Sequence, residues 1–244
     1  MTQTIKKDLE KTHLENLNPA QLEAVCHAEG PLLIFAGAGS GKTRVLTRRI
    51  VNLISEHGVK AHEILAVTFT NKAAAEMKQR ISSLFNQQNE YTQNLWVHTF
   101  HATCLRILRI HAEKLGYAKD FVVYDTSDSL AALKRVYKRL NIDPKFIEPK
   151  MVMARIDKAK NNYHFAEEIR NDPYLPREWA ELSAQLYDAY QEELLSASAM
   201  DFGDLLCNVI SLFKLEKEVL EHYQDRFKHL LIDEYQDTNK VQYM

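Results

Sequence analysis

Short apolar runs alternate with longer amphipathic stretches toward both ends of the chain. Four runs of four to six residues are bounded by polar or turn-forming residues, a pattern typical of buried strands. They are PLLIF (31–35), ILAVTF (64–69), LWVHTF (95–100) and LLID (230–233). After the first three runs, apolar residues recur at helical spacing. Strand followed by helix, repeated, predicts an α/β fold with a parallel sheet and crossover helices.

The middle of the chain follows a different pattern. Between Gly116 and about Ala199 the apolar spacing is mostly helical, is interrupted by prolines and contains little that favours a strand. We therefore expect a helical subdomain inserted into one α/β domain. The predicted boundaries are 1–116 for the first part of that domain, 117–199 for the insertion and 200–244 for the second part.

Charge within the insertion is uneven. Residues 117–162 hold 10 Lys and Arg against 6 Asp and Glu, whereas 163–199 hold 2 against 8. The basic half either faces nucleic acid or is an ordinary solvated surface, and the sequence leaves both readings open. Because the net charge of the chain is −2, any nucleic-acid site must be a local patch.

Composition narrows the class of protein further. With 45% hydrophobic and 26% charged residues, the chain is an ordinary globular one. Its three separated cysteines favour free thiols in a reducing compartment. The N-terminus has no apolar signal-peptide core, and no run approaches the roughly 18 apolar residues that span a bilayer. We therefore expect a cytoplasmic protein without a membrane partner.

The segment AGAGSGKT (36–43) has the composition of a phosphate-binding loop. Such a loop needs backbone N–H groups turned inward around an anion, then a lysine for the β- and γ-phosphates and a hydroxyl for Mg²⁺. A helix follows, with its N-terminus toward the phosphates. Alanine replaces the usual first glycine and is small enough for that corner. The expected nucleotide contacts are Ala36, Gly37, Ala38, Gly39, Ser40, Gly41, Lys42, Thr43 and Arg44.

Two adjacent carboxylates, Asp233 and Glu234, follow the last apolar run. At the carboxyl end of a parallel strand they face the crevice where α/β sheets bind ligands. Two such charges are costly there unless a cation or a reaction uses them. Asp233 would then join Thr43 in holding Mg²⁺, and Glu234 would orient and deprotonate the attacking water. Lys42 lies 191 positions before Asp233, a separation that the inserted subdomain explains.

Gln21 has two explanations. Asn18, Pro19 and Gln21 form a helix-start signal, in which the glutamine side chain bonds back to the Asn18 N–H. That helix should run to about Ala28 and end at Gly30. The alternative is a contact with adenine, and the residues alone do not decide between the two.

Aromatic and polar residues follow the second and third apolar runs. Phe69 is either a core residue or a stacking surface for a base of single-stranded nucleic acid. Thr70 and Asn71 open a helix whose N-terminal amides could hold a backbone phosphate. The same arrangement recurs after the third run, at Thr99, Phe100 and His101.

Six stretches together resemble the N-terminal half of superfamily 1 DNA helicases of the UvrD/Rep/PcrA type. They occur in the family's order: LNPAQLEAV (17–25), AGAGSGKT (36–43), AVTFTNKAAAEM (66–77), TFHATCLRIL (99–108), MDFGDLL (200–206) and IDEYQDTN (232–239). The resemblance implies a RecA-like P-loop NTPase with a parallel sheet flanked by helices, interrupted by a mostly helical subdomain. It also implies ATP and Mg²⁺ as cofactors, and single-stranded DNA with a duplex junction as partner.

The resemblance assigns a role to each candidate residue. Gln21 matches the family's adenine-reading glutamine, and Phe69 matches the aromatic on which single-stranded DNA stacks. Gln236 lies in the motif that links hydrolysis to movement. The implied catalytic set is Lys42, Asp233, Glu234 and Gln236, and the implied further DNA contacts are Thr70, Asn71, Thr99, Phe100 and His101.

The implied function is an ATP-dependent DNA helicase of 3′-to-5′ polarity acting in DNA repair or replication. Members of the family continue with a second RecA-like domain, whose arginines reach the γ-phosphate. We expect that domain to be missing from this chain, which alone would be nearly inactive. Two alternatives remain: the helicase part of a helicase–nuclease, and a non-motor module that binds nucleotide and single strands as a switch. Glu234 favours the motor, because a switch can dispense with it.

Overall fold

The computed structural model describes residues 12–37, 39–86 and 91–244, which form two compact units. One unit comprises the described residues up to Thr103 together with Glu221–Gln236, and the other comprises Cys104–Leu220 with Asp237–Met244. The second unit contains the whole of the predicted insertion and extends beyond it on both sides. The domain boundaries at 116/117 and 199/200 remain predictions.

The first unit is built on a parallel sheet of three strands. Their order across the sheet is β2 (Trp96–Thr99), β1 (Ile64–Thr68) and β5 (His229–Ile232). The helices are α1 (Pro19–Cys26), α2 (Lys42–Ser55), α3 (Asn71–Leu84) and the start of α4 (Phe100–His111). Apolar side chains of the strands and of α2 and α3 form one buried cluster, which includes Ile50, Leu53, Ile64, Met77, Ile81 and Val97. The predicted α/β fold, with a parallel sheet flanked by helices, is confirmed.

Strand register determines which residues share an edge of this sheet. Val67 of β1 pairs with His98 of β2 and with Ile232 of β5. All three strands run in the same direction, so their carboxyl ends meet along one edge. The next residue after each strand is Phe69, Phe100 or Asp233, and these three residues therefore lie at that same edge.

The first predicted strand, 31–35, is wrong. Residues 31–37 have no regular secondary structure, and the side chain of Phe35 is 89% exposed. An apolar run becomes a strand only when a neighbouring backbone pairs with it, and 31–35 pairs with none of the strands in the three-stranded sheet β2–β1–β5. Periodicity identified the apolar character of the run but could not supply its partner. The other three predicted strands are confirmed.

The second unit is mostly helical. Two strands of two residues, β3 (Val122–Val123) and β4 (Ala199–Met200), pair in parallel within it. Buried side chains of its helices form a second apolar cluster, which includes Leu133, Val136, Tyr137, Ile156, Ala184, Tyr187 and Tyr190. Besides the rest of α4, the remaining helices are α5 (Thr126–Arg139), α6 (Pro149–Asn161), α7 (Ala166–Arg170), α8 (Arg177–Ser196), α9 (Phe202–Leu215), α10 (Lys217–Arg226, which ends in the first unit) and α11 (Lys240–Tyr243).

In the described part of the chain, none of the helices combines the length and the apolar character that crossing a bilayer requires.

Candidate functional site

The phosphate loop turns sharply before α2. Gly39 and Gly41 have φ of +74° and +88°, in the left-handed region that glycine enters without strain. The Ser40 hydroxyl donates to the carbonyl of Gly37 at 2.7 Å, which closes the turn. Gly41 is the N-cap of α2, so the first amides of a 14-residue helix lie directly after the loop. Ala38 lies outside the described residues.

Lys42 is held near the loop and near a carboxylate. Its Nζ donates to the carbonyl of Ala36 at 3.2 Å and lies 3.9 Å from Oε1 of Glu234. A lysine ammonium has three N–H donors, so Lys42 keeps donor capacity for an anion in the loop.

Thr43 and Asp233 are brought together from sequence positions far apart. Thr43 Oγ1 donates to Asp233 Oδ2 at 3.3 Å, and the Asp233 backbone N–H extends β5 by donating to Val67 at 2.9 Å. Asp233 is only 9% exposed, and burial, followed by the neighbouring Glu234, raises the pKa of its carboxyl above the ordinary value. A carboxylate in that position gains from a cation.

The residues at this point fit Mg²⁺. Magnesium at phosphate sites is bound through one or two carboxylates and hydroxyls, with waters and phosphate oxygens completing an octahedron. Thr43 supplies the hydroxyl and Asp233 the carboxylate, both hard oxygen donors at hydrogen-bonding distance from each other. Among the described residues, no group of three or more His, Cys, Asp or Glu side chains is arranged to hold a metal ion by itself, and a site completed by phosphate does not need one.

Glu234 has an uncommon backbone conformation. Its φ is +53°, a region that costs a non-glycine residue free energy and that is frequent at functional sites. The side chain is 41% exposed, and Oε2 accepts a hydrogen bond of 2.5 Å from Nε2 of Gln236. Gln236 and Lys42 thus contact the two oxygens of the same carboxylate.

Gln21 links α1 to the phosphate loop. Asn18 and Gln21 form the predicted capping box: Gln21 N donates to Asn18 Oδ1 at 2.8 Å, and Gln21 Oε1 accepts from Asn18 N at 3.1 Å. Gln21 Nε2 also donates to the carbonyl of Ser40 at 3.0 Å. One N–H and one lone pair of the Gln21 amide remain after these bonds. The capping role is confirmed, and the adenine contact stays a prediction.

Two aromatic rings lie together at the carboxyl edge of the sheet. The ring centroids of Phe69 and Phe100 are 5.6 Å apart in an edge-to-face arrangement, and both side chains are half-buried. Thr70 caps α3 by accepting from the Ala73 N–H at 3.1 Å, and Asn71, like Thr70, is exposed.

The polar residues where β2 meets α4 repeat this arrangement. The Thr99 hydroxyl accepts from the Ala102 N–H at 3.2 Å, in the first turn of α4. Burial lowers the pKa of His101, which favours the neutral imidazole. The six predicted DNA-contacting residues therefore occupy two equivalent strand-to-helix turns in one unit of the structure.

Sequence reasoning missed polar residues farther along α2. Arg48, Arg49 and Asn52 bond to backbone carbonyls of 13–27, and none of them belongs to a motif with known chemistry. It also missed Lys160, which is buried between two aspartates of MDFGDLL. In both cases the sequence shows only a polar or charged residue on a helix, and no local signal distinguishes it from one whose side chain is solvated.

A phosphate loop that opens a helix, joined through its threonine to a carboxylate at the end of a parallel strand, defines a P-loop fold of the RecA-like class. The chain belongs to the UvrD/REP helicase family: the family's N-terminal domain matches residues 17–244. The resemblance inferred from the six sequence stretches is therefore confirmed.

Named relatives agree with this assignment. The chain is 44% identical over 230 residues to a protein of Staphylococcus aureus named ATP-dependent DNA helicase PcrA, an alignment that covers 94% of this chain and 31% of that protein. The protein of the same name from Bacillus subtilis is 44% identical over 231 residues, which is 95% of this chain and 31% of the relative. The chain thus spans about a third of the length of the curated relatives that it matches.

Proposed function

We propose that this chain is the ATP- and DNA-binding half of the motor of an ATP-dependent DNA helicase. The observation that carries the proposal is the contact of Thr43 with Asp233, which joins the phosphate loop to the strand-end carboxylates. Relatives that are 44% identical and named DNA helicases support it. Because the chain spans 31% of their length, unwinding is proposed for a full-length protein that contains it.

The proposed nucleotide chemistry follows from the geometry. The loop amides and the N-terminus of α2 bind the phosphates, and Lys42 donates to the β- and γ-phosphates. Thr43 and Asp233 would hold Mg²⁺, which neutralises charge on the phosphate oxygens when it is bound. Glu234 accepts a proton from the attacking water, and Gln236 orients the Glu234 carboxylate through its hydrogen bond. Gln21 reads the adenine base.

The proposed DNA site is the edge formed by the two strand-to-helix turns. Phe69 and Phe100 offer ring surface for stacking of single-stranded bases, and the N-terminal amides of α3 and α4 face backbone phosphates. A duplex junction, 3′-to-5′ polarity and a role in DNA repair or replication belong to the proposal through the family. Cytoplasmic localisation follows from the same proposal, because the enzyme must meet its DNA.

Among the alternatives, a specific observation favours the motor over a nucleotide switch. Glu234 is placed beside Lys42, and its carboxylate is held by Gln236. Binding alone needs neither an exposed carboxylate next to the phosphate-binding lysine nor a second side chain that orients it. Both are what a hydrolytic site requires.

Nucleotide titration tests the proposal. We expect Lys42→Ala to weaken binding of Mg²⁺–ATP and Mg²⁺–ADP by about tenfold or more, since hydrogen bonds to charged groups contribute about 1.5–3 kcal/mol. The matched control is Lys228→Ala, an exposed lysine that pairs with Asp225 three residues earlier. Equal affinities of the wild type and Lys42→Ala would overturn the assignment of the loop.

A further inference from the structure

Two adjacent arginines of α2 bond to the segment that carries Gln21, one on each side of α1. Arg48 Nη1 donates to the carbonyls of His13 and Glu15, both at 2.6 Å, before α1 begins. Arg49 Nη1 donates to the carbonyl of Ala24 at 3.0 Å and to that of His27, where α1 ends. The segment 13–27 is thus fastened to α2 at both of its ends.

Asn52 extends the same contact one turn further. Its Nδ2 donates to the carbonyl of Val25 at 3.3 Å, and its Oδ1 lies 3.1 Å from His13 Nε2. Arg48 and Asn52 are four residues apart, so they lie one above the other on the helix. The side chains of His13 and Asn52 are 1% and 3% exposed, so these contacts are shielded from water.

The contacts of Arg49 stabilise the end of a short helix. The last carbonyls of a helix have no hydrogen-bond partner within it and carry a partial negative charge. A guanidinium at that end donates to these carbonyls and also offsets their charge. Arg49 is 9% exposed, and burial lowers the pKa of its guanidinium. An isolated helix of eight residues is not stable in water. The position of α1 therefore depends on the side chains that hold it.

The same helix, α2, begins with the phosphate-binding residues Lys42 and Thr43. Gln21 is linked to the loop by its bond to the Ser40 carbonyl, and a Cβ added at Gly41 would lie 3.2 Å from Gln21 Nε2. The amide of Gln21 thus lies in direct contact with the loop. Arg48 and Arg49 fix the other parts of its segment to the same rigid helix.

We propose that Arg48 and Arg49 are positioning residues for base recognition. Through them, selectivity for adenine over guanine depends on contacts that lie about two turns along α2 from the phosphate-binding residues. This inference rests on the proposed function. An adenine edge offers an N–H donor next to an acceptor, which matches the one lone pair and one N–H left on Gln21, whereas guanine offers two acceptors. If α1 shifts, that match is lost while the contacts of Lys42 and Thr43 with the phosphates remain.

The test compares ATP, GTP and inorganic tripolyphosphate, each with Mg²⁺, as ligands of the whole chain. The variants are Arg48→Ala and Arg49→Ala, with Gln21→Ala as the reference for complete loss of base reading. We expect both arginine variants to reduce the ratio of ATP to GTP affinity by about tenfold, toward the ratio of Gln21→Ala, because a bidentate contact with a base edge discriminates between bases by about a factor of ten. Tripolyphosphate affinity should not change. Arg80→Ala, an exposed arginine paired with Glu76, is the control.

A double variant separates positioning from general stabilisation. If Arg48 acts through Gln21, then Gln21→Ala/Arg48→Ala should show the same ATP to GTP ratio as Gln21→Ala alone. Arg48→Lys, which can still donate to the carbonyls, should restore much of the selectivity. Equal losses for ATP, GTP and tripolyphosphate, or an unchanged ratio in folded variants, would overturn the inference. A wild type that binds none of the three ligands would instead overturn the proposed function.

Discussion

At the scale of single residues, Phe69 and Phe100 form the part of the site with the most distinctive geometry. Both rings follow paired strands, and they meet edge to face at 5.6 Å. A core role would bury the rings fully, but each is half-buried at the edge of the sheet. An aromatic ring that keeps part of its face open can stack on a base, which every nucleotide permits because every base has a π face.

We expect Phe69→Ala to weaken single-stranded DNA binding by about 1–3 kcal/mol, the contribution of one base-stacking surface. The measurement is fluorescence anisotropy of a labelled oligothymidine with a full-length protein that contains this chain. ATP affinity should be unchanged, since Phe69 is assigned to the proposed DNA site and not to the nucleotide site. Tyr174→Ala is the control, because Tyr174 is 93% exposed and lies in the acidic half of the predicted insertion, in the second unit. Loss of the folded state in Phe69→Ala would show that the ring is a core residue.

The residues of the site differ in how far the sequence determines them. The loop could be predicted because its chemistry is local: small residues, a lysine and a hydroxyl must be consecutive. The capping box of Asn18 and Gln21 could be predicted for the same reason, since it spans four positions. Arg49 could not, because its acceptors lie 22 and 25 residues away and depend on how 13–27 packs against α2.

At the scale of elements, Lys160 connects α6 to the start of α9. Its Nζ lies 2.6 Å from Asp201 Oδ2 and 2.7 Å from Asp204 Oδ1, and its side chain is 1% exposed. Gly203 permits this approach, because a Cβ there would lie 2.7 Å from Lys160 Cδ. Two carboxylates share one ammonium, so one negative charge is left without compensation. Burial, with Asp201 nearby, raises the pKa of Asp204 to about 6.

This cluster predicts a pH dependence of the free energy of unfolding. Asp204 binds a proton more readily in the folded protein than in the unfolded chain, so its favourable contribution is complete below about pH 4 and is lost as the pH rises through about 6. Because an asparagine side chain cannot ionise, the variant Asp204→Asn does not lose this contribution as the pH rises. Relative to the wild type, the variant should therefore gain on the order of 1–3 kcal/mol between pH 4 and 7.

Urea unfolding at a series of pH values measures this difference. Asp201 does not interfere with this measurement. Burial would raise the pKa of Asp201, but its contacts with Lys160 outweigh that effect and hold the pKa below its ordinary value, so Asp201 titrates below the range of about pH 4 to 7. Asp120→Asn is the control, since Asp120 is exposed. A difference between Asp204→Asn and the wild type that does not change with pH would contradict the prediction.

The elements show what periodicity can and cannot decide. Helical spacing predicted α2 and α3 because a helix satisfies its backbone hydrogen bonds within itself. A strand depends on a partner, so the apolar run at 31–35 had the right composition without the pairing. The neighbouring strands β1 and β5 lie more than 100 positions apart in the sequence, and the order β2–β1–β5 in the sheet was not predicted.

At the scale of the whole molecule, the arginines of the first unit limit what this chain can catalyse. Phosphoryl transfer needs positive charge at the transition state, and an arginine supplied to the γ-phosphate is worth about 10³–10⁵ in rate. Arg44 and Arg48 donate to carbonyls before α1, and Arg49 donates to a carbonyl in its last turn. Arg80 pairs with Glu76, and Arg226 lies over the ring of Trp96. Each arginine of this unit thus already contacts a group outside the phosphate loop.

We therefore expect the 244-residue chain to bind Mg²⁺–ATP but to hydrolyse it slowly, with no more than about 1 s⁻¹ when single-stranded DNA is added. In the proposed site, Lys42, Thr43 and Asp233 would supply charge and ligands on one side of the γ-phosphate, and we assign no arginine to the other. A steady-state ATPase assay with oligothymidine measures the rate. Glu234→Gln in the same chain defines the background, because it removes the proton acceptor and keeps the loop. DNA-stimulated turnover above about 1 s⁻¹ that Glu234→Gln abolishes would show that these residues already form a complete catalytic site.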